Sequence, residues 1–351
     1  MTKEELKIRQ LTNQYLIHKT EKLKAVRDLC GVQAQFMTNA LHSLRIRCYD
    51  FDEKTAADGL VKNWTVRGTV HVFAESDLAL FKHCNNGKDY RCDTFSGYSR
   101  SDGSKRLWTL TPERQQYFSH LILKEIKNGA KTRDELKSLC LKNGMTATEE
   151  DAMFDAWGGG IRELCERGFM NYIVQEKKAY IPSPPFTPIP EEKANLEIAR
   201  RYFTHIAPAT IHDAMYFFHA TAAQVKTWLS ELPVNTLSYQ NNTYYYIENG
   251  NSYEKPLPDC LFLAGFDQLM LGYQKKESLY IKEEHIRKIF NLAGIVMPSI
   301  LLYGEVVGKW KKSRTKLLIT LFENTSSQNK EILESYAKTL WGEELRIIFE
   351  A

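Results

Sequence analysis

Gln33-Ala-Gln35 stands just after Gly31, and it is the pair of residues in this chain best suited to neutral chemistry. A glutamine amide both accepts and donates hydrogen bonds. Two amides can therefore orient a water molecule, or the edge of a nucleotide, without carrying charge. On an ideal helix, side chains two residues apart point about 200° from each other. The pair can share a target only where the backbone is not yet regular helix, and a turn after Gly31 supplies that. Solvated turn residues or phosphate contacts are the plainer roles open to the same two amides.

Charge supplies the second signal. Residues 1–110 hold 18 Lys/Arg against 13 Asp/Glu, and Lys309, Lys311, Lys312, Arg314 and Lys316 form a run with no acid inside it. Such patches attract phosphates and release counterions. The net charge of +4 is too small to prove that partner by itself. The seven cysteines are scattered and odd in number, with no Cys-x-x-Cys or Cys/His ligand spacing. That predicts reduced thiols and no zinc site. The N-terminus is charged from its third residue and lacks the apolar run of a secretory signal. The most apolar stretch, 292–304, is broken by Pro298 and too short to span a bilayer. A cytoplasmic chain with no membrane segment is expected.

Elements must position these residues. Apolar spacing predicts helices around 8–15, 23–30 and 36–45, the second and third separated by the Gly31 turn. This is a helix-turn-helix whose second helix carries Thr38, His42 and Arg45 on its polar face. A further helix leads into Trp64-Thr-Val-Arg-Gly-Thr-Val-His-Val-Phe73, whose β-branched residues flank Arg67-Gly68 and predict a hairpin, or wing. His71 and Arg67 on that wing suit either a DNA contact or a structural one.

The order then recurs. Thr111-Pro112 is an N-cap with proline at the first helical position. Thr132-x-x-Glu135 is a capping box, and Gly158-Gly159-Gly160 interrupts the third helix before strands at 169–174 and 179–181. Five of the 11 prolines fall within residues 182–190, a stiff connector. Beyond it, Thr210-x-x-Asp213 and Thr221-x-x-Gln224 cap two more helices, and strands at 234–239 and 243–247 flank Asn241-Asn242. Three recurrences of one pattern predict tandem winged helices. The expected fold is helix-rich α+β with modules at 1–110, 111–183 and 184–250. A strand-rich, small barrel-like domain follows at 251–351. Trp157 and Trp310 read as core, and Asp267, among apolar neighbours, as a structural hydrogen-bonding group.

These motifs carry a resemblance. Gly31-Val-Gln-Ala-Gln35 resembles the paired-glutamine motif of the AlkZ-type DNA glycosylases, within the AlkZ/YcaQ winged-helix family. Trp64-Thr-Val-Arg-Gly-Thr-Val-His71 is similar to the family's wing. Arg200-Arg-Tyr-Phe-Thr-His-Ile-Ala-Pro-Ala-Thr-Ile-His-Asp213 resembles the opening of its third module. The stretches beginning at Phe262 and Gly294 resemble its C-terminal signature. Ala264, where the pattern implies proline, and Lys275-Lys276, where it implies an acidic-basic pair, are departures. The resemblance implies three winged helices around a concave basic surface. It implies monofunctional excision of N7-alkylated purines, crosslinked guanines included, with Gln33 and Gln35 as the catalytic pair. The partner it implies is duplex DNA containing alkylated bases. Separately, with no ligand cluster in the sequence and a cationic leaving group, no metal or cofactor is expected, and a monomer is expected. Two other classes fit the elements alone: a non-enzymatic winged-helix regulator, and a protein-interaction scaffold.

Overall fold

A computed structural model describes residues 1–49, 51–82, 108–155 and 158–350. Trp157, Cys84 and Cys92 lie outside the described residues; the other five cysteines are buried and in no disulfide. The chain is helix-rich α+β. By packing it divides into two compact units, one of Met1–Ala56 with Leu196–Ala351 and one of Ala57–Asn195. These units group the chain by contact, whereas the sequence modules group it by recurring local order.

The first unit opens with α1 (Lys3–Asn13), α2 (Lys22–Asp28), β1 (Val32–Gln33) and α3 (Met37–Arg47). Thr2 and Glu5 close a capping box on α1, satisfying N–H groups that the first turn leaves without partners. On its inner side, Gln10 and Asn13 donate to the carbonyls of Pro208 and Ala207 at 2.7 and 2.9 Å. The chain therefore returns to α1 almost 200 residues later.

The second unit contains β2 (Leu60–Trp64), β3 (Val70–Ala74), α4 (Leu78–Phe81), α5 (Pro112–Ile126), β4 (Lys131–Thr132), α6 (Arg133–Lys142), α7 (Ala147–Met153), α8 (Gly159–Glu166), β5 (Met170–Tyr172) and β6 (Ala179–Pro182). Within it the strands lie in the order β3-β2-β5-β6-β4. Thr111, Thr132 and Thr146 each cap a helix through the side chain. The helices bury Phe118, Ile122, Leu136, Met153, Ile161 and Leu164 in one core. A Cβ on Gly159 would meet the Ala152 carbonyl oxygen at 2.4 Å, so the glycine run lets α8 start hard against the end of α7. Residues 53–59 form turns, not the further helix that the sequence suggests; Leu60 instead bonds back to the Ala57 carbonyl and enters β2.

The rest of the first unit comprises α9 (Glu191–Arg201, whose start lies in the second unit), α10 (Ile211–Phe218), α11 (Ala222–Glu231), β7 (Asn235–Tyr239), β8 (Asn242–Tyr246), β9 (Cys260–Phe262), α12 (Gln268–Leu271), α13 (Ile286–Ile289), β10 (Ser299–Leu302), β11 (Glu305–Ser313), β12 (Lys316–Leu321), α14 (Ser327–Trp341) and β13 (Arg346–Glu350). Capping boxes at Thr210 and Thr221 start α10 and α11. The barrel-like expectation for the C-terminal region is corrected. β9 to β13 form an open five-stranded sheet, order β13-β12-β11-β10-β9. The physical reason is α14, which lays Leu333 and Ala337 over Phe262, Ile300, Leu302, Leu317 and Ile319. A helix covers that apolar face, so the sheet has no need to close on itself.

Candidate active site

Local chain geometry places the glutamines. Helix α2 ends with Cys30 in the left-handed region (φ 57°) and Gly31 at φ 87°. Their amides bond back to Arg27 and Val26 at 3.2 and 2.7 Å, a left-handed helix stop that favours glycine. The chain leaves this stop extended, with Gln33 in β1, and Phe36 is still extended before α3 begins at Met37. The helical separation of about 200° between residues two apart therefore does not apply to this pair. The two amides are not equivalent: Gln33 is 6% exposed, whereas Gln35 is open to solvent.

The positioning of this segment comes from a distant stretch that local sequence pattern does not link to it. Gln268 Nε2 donates to the Leu29 carbonyl at 3.1 Å, pinning the end of α2. The rings of Phe36 and Phe266 stack with centroids 6.1 Å apart. Gly265 passes so close to α3 that a Cβ there would meet Asn39 Nδ2 at 2.7 Å. Asp267, fully buried, takes both terminal nitrogens of the buried Arg47 at 2.9 and 2.7 Å and also accepts from the Leu269 amide. Arg47 donates further to the Gln14 carbonyl and to Ser43 Oγ. The stretch beginning at Phe262 is thus a cradle for α3 and for the chain entering it. Its one signal in the sequence is its likeness to the C-terminal signature.

His42 belongs to the same cradle and not to an exposed polar face. It is buried, with Nε2 2.7 Å from the Phe262 carbonyl oxygen, and its ring packs against Trp310 and Trp341. Burial pushes its pKa down to about 4, so it is neutral near pH 7 and donates to that carbonyl. Trp310 anchors the arrangement by donating Nε1 to the Leu263 carbonyl at 2.8 Å.

Outside this packed side, a cleft of about 440 Å³ runs between α3 and the β11–β12 hairpin. Thr38, His42, Arg45, Trp310, Lys311 and Lys312 line it. Thr38 is exposed at its mouth, and Arg45 is ion-paired with Glu53. Lys309, Lys311 and Lys312 lie on β11 and Lys316 opens β12, with Ser313 paired to Lys316 and Arg314 in the left-handed region at the tip. Lys311, Lys312, Arg314 and Lys316 are exposed, and none has a carboxylate within ion-pair distance among the described residues.

The second unit holds Arg67 and His71 on the β2–β3 hairpin, whose turn is closed by Gly68 N–H to the Thr65 carbonyl at 3.0 Å. His71 is fully buried, with Nδ1 2.9 Å from the Thr69 carbonyl. Burial, with the Arg67 charge beside it, holds its pKa down to about 3. The ring is therefore neutral. Its Nδ1–H serves the carbonyl, and its basic Nε2 is buried without a hydrogen bond among the described residues. Arg67 is half-buried.

Among the described residues, Glu284, His285 and Glu323 form the one group whose ligand atoms could converge on a metal ion. Lys282 Nζ already holds Glu323 at 2.6 Å. No helix among the described residues is long and apolar enough to cross a membrane.

Comparison with known proteins places this geometry in a family. The family of AlkZ-like DNA glycosylases matches residues 26–340. A Streptomyces sahachiroi protein, an interstrand DNA cross-link repair glycosylase, is 24% identical over 333 residues, covering 88% of this chain and 87% of that one. The solved structure of Streptomyces sahachiroi DNA glycosylase AlkZ shares the fold, with a TM-score of 0.78 and 19% identity over 100% of both chains. The family match includes the glutamine segment, the cleft and the cradle beneath α3, and so this chain belongs to the AlkZ-like DNA glycosylase family.

Proposed function

We propose that this chain hydrolyses the N-glycosidic bond of N7-alkylated, cationic purines in duplex DNA, including guanines joined in an interstrand crosslink, and that Gln33 and Gln35 are the catalytic pair. The observation that carries the reading is the backbone at that pair. Gln33 lies on a short strand and Gln35 at a bend, in a segment pinned from Leu29 by Gln268 and from Phe36 by Phe266, so two amides two residues apart are held on non-helical chain just before the helix whose residues Thr38 and Arg45 line the cleft. The similarity to the Streptomyces sahachiroi interstrand DNA cross-link repair glycosylase supports the crosslink substrate.

The chemistry suits neutral groups. Breaking a glycosidic bond passes through an oxocarbenium-like sugar, which most glycosidases stabilise with a carboxylate. An N7-alkylated purine is already cationic and leaves readily. Two amides that orient water then suffice, since general acid–base help adds only ~10²–10⁴-fold. An unmodified purine lacks this assistance, which gives selectivity for damage. Asp267, a buried acid beside α3, is committed to Arg47 and is not the nucleophile's partner in this reading.

DNA contacts in this reading come from Thr38, the hairpin cations Lys309, Lys311, Lys312, Arg314 and Lys316, and the β2–β3 hairpin with Arg67. The helix–helix–hairpin stretches are read as three tandem winged helices that present these groups to the duplex, and the protein acts as a monomer. A non-enzymatic regulator is not the family to which the chain belongs.

The test is direct. Enzyme in excess is incubated with duplex containing a single N7-methylguanine, and abasic sites are revealed by alkaline strand cleavage. Release of the base, with unmodified guanine left intact, is expected. Intact DNA after prolonged incubation would overturn the reading.

A further inference from the structure

The cleft beside α3 does not end at the hairpin. Met297 lines it and also lines a second groove of about 530 Å³ on the far side, between α13 and the outer part of the sheet. Arg287, Lys288, Asn291, Lys309 and Phe322 line this second groove. Lys288 Nζ sits 4.9 Å from the Phe322 ring centroid. None of Arg287, Lys288 and Lys309 has a carboxylate within ion-pair distance among the described residues. Glu323 stands nearby, but Lys282 holds it at 2.6 Å. Lys309 and Lys311 are two apart on one strand, so they share a face of β11 and link the two grooves.

Next in sequence to Asn291, which lines this groove, stands Leu292, 88% exposed, the most exposed large hydrophobic side chain described. It does not ride on a loose loop. Phe290 pairs with Val296, and the Met297 amide bonds to the Ile289 carbonyl at 2.9 Å. The Asn291 amide bonds to the Ile295 carbonyl at 3.0 Å, and Asn291 Oδ1 accepts from the Ile295 amide at 2.8 Å. Gly294 closes the turn with φ +76°, donating to the Asn291 carbonyl. Single exposed apolar residues are ordinary. A leucine on a hydrogen-bonded turn, in a segment whose Arg287 and Lys288 line a cationic groove next to the cleft, is a different object. Proteins that bend or open DNA push such apolar wedges between base steps while cations hold the backbone.

We infer that the turn at 291–294 is a DNA wedge: Leu292 enters the base stack while Arg287, Lys288 and Lys309 grip a phosphate of the strand it enters. This rests on the DNA glycosylase reading and adds to it a residue that opens the stack. The sequence does not single this residue out, because Leu292 only opens the most apolar stretch of the chain.

The experiment separates the two ideas. A duplex carrying 2-aminopurine beside a stable abasic-site analogue is titrated with protein, reading anisotropy for affinity and fluorescence for unstacking. The wild-type protein should bind and raise the fluorescence. Leu292→Ala should bind within about threefold, because phosphates dominate affinity, yet lose most of the rise, while Leu292→Met restores it. An Arg287→Ala/Lys288→Ala variant should lower the salt dependence of binding by about 0.9 in slope for each phosphate no longer neutralised. A rise with Leu292→Ala equal to wild type, or binding by wild type without any rise, overturns the wedge and leaves the glycosylase reading standing. An unchanged salt slope overturns the phosphate grip. Failure of the wild-type protein to bind any duplex overturns the glycosylase reading and the wedge together. Melting curves of the variants, expected to match wild type because the side chains are exposed, show that folding is not the cause.

Discussion

Two sets of cations flank α3, and they meet opposite fates. Beneath the helix, Arg47 is wholly buried, held by both oxygens of Asp267, the Gln14 carbonyl and Ser43. Across the cleft, Lys311, Lys312, Arg314 and Lys316 stand exposed on the hairpin with no carboxylate within ion-pair distance among the described residues. A charge taken out of water must be neutralised and hydrogen-bonded inside the protein. Arg47 thus has its bonding capacity spent on holding α3 to the stretch beginning at Phe262. The hairpin cations are left open to solvent. Composition counts all five alike; burial separates scaffold from contact surface.

The sharpest way to break that comparison is Asp267→Asn. It leaves Arg47 buried beside a neutral amide and should cost about 3–5 kcal/mol of stability, the usual result of removing one partner of a buried pair. Urea unfolding reads this directly. A loss below about 1 kcal/mol would mean that apolar packing, not the ion pair, anchors α3.

Next in size are the glutamines, which the cradle holds but does not consume. Gln33→Ala and Gln35→Ala should each slow single-turnover excision of N7-methylguanine by ~10–10³-fold, or ~1.4–4 kcal/mol, with DNA affinity barely changed. Gln35→Asp should retain more activity than Gln35→Ala, because a carboxylate also stabilises the sugar cation. Wild-type rates at saturating enzyme for both alanine variants would remove the catalytic assignment. His71, neutral and with a buried basic nitrogen, would then be the residue to test.

On the hairpin side, Lys311→Ala/Lys312→Ala/Arg314→Ala should leave the unfolding midpoint unchanged and weaken binding to every DNA sequence. The slope of log affinity against log salt should flatten by about 0.9 for each phosphate that the variant leaves unbound. If the melting temperature falls instead, these cations serve the scaffold and the contrast with Arg47 fails.

The smallest effect belongs to the buried histidines. Burial lowers the pKa of His42 to about 4, of His205 to about 4 and of His71 to about 3. Each folded-state value lies below the unfolded one, near 6.5. The unfolded chain therefore takes up protons first as pH falls. The stability these neutral rings contribute is fully present above the unfolded pKa and drains away as pH drops towards 4. Between pH 7 and pH 6 each should cost about 0.7 kcal/mol. Denaturant titrations at the two pH values measure the sum, and His42→Gln should reduce the difference by one histidine's share. A stability that does not change across this range would show that these rings are not held neutral.

What the sequence determined by itself is local. Thr132 with Glu135, Thr210 with Asp213 and Thr221 with Gln224 each close within three residues, so the helix starts are written in adjacent side chains. The turn at Gly31 is of the same kind, and it sets Gln33 on a short strand with Gln35 at a bend before α3. Tertiary structure alone decided which charges are spent. His42 meets the Phe262 carbonyl across 220 positions, Arg47 meets Asp267 across 220, and Gln268 reaches Leu29 across 239. Helical period marks His42 as polar and outward-facing, but the sheet and α14 pack their tryptophans against that side of α3 and make it interior. Leu292 suffers the reverse fate. It opens the most apolar stretch of the chain, yet the bonded turn between Phe290 and Val296 lifts it into solvent. Hydrogen bonds within a few residues can be read from spacing, but burial depends on which distant surface arrives, and that is fixed only when the whole core packs.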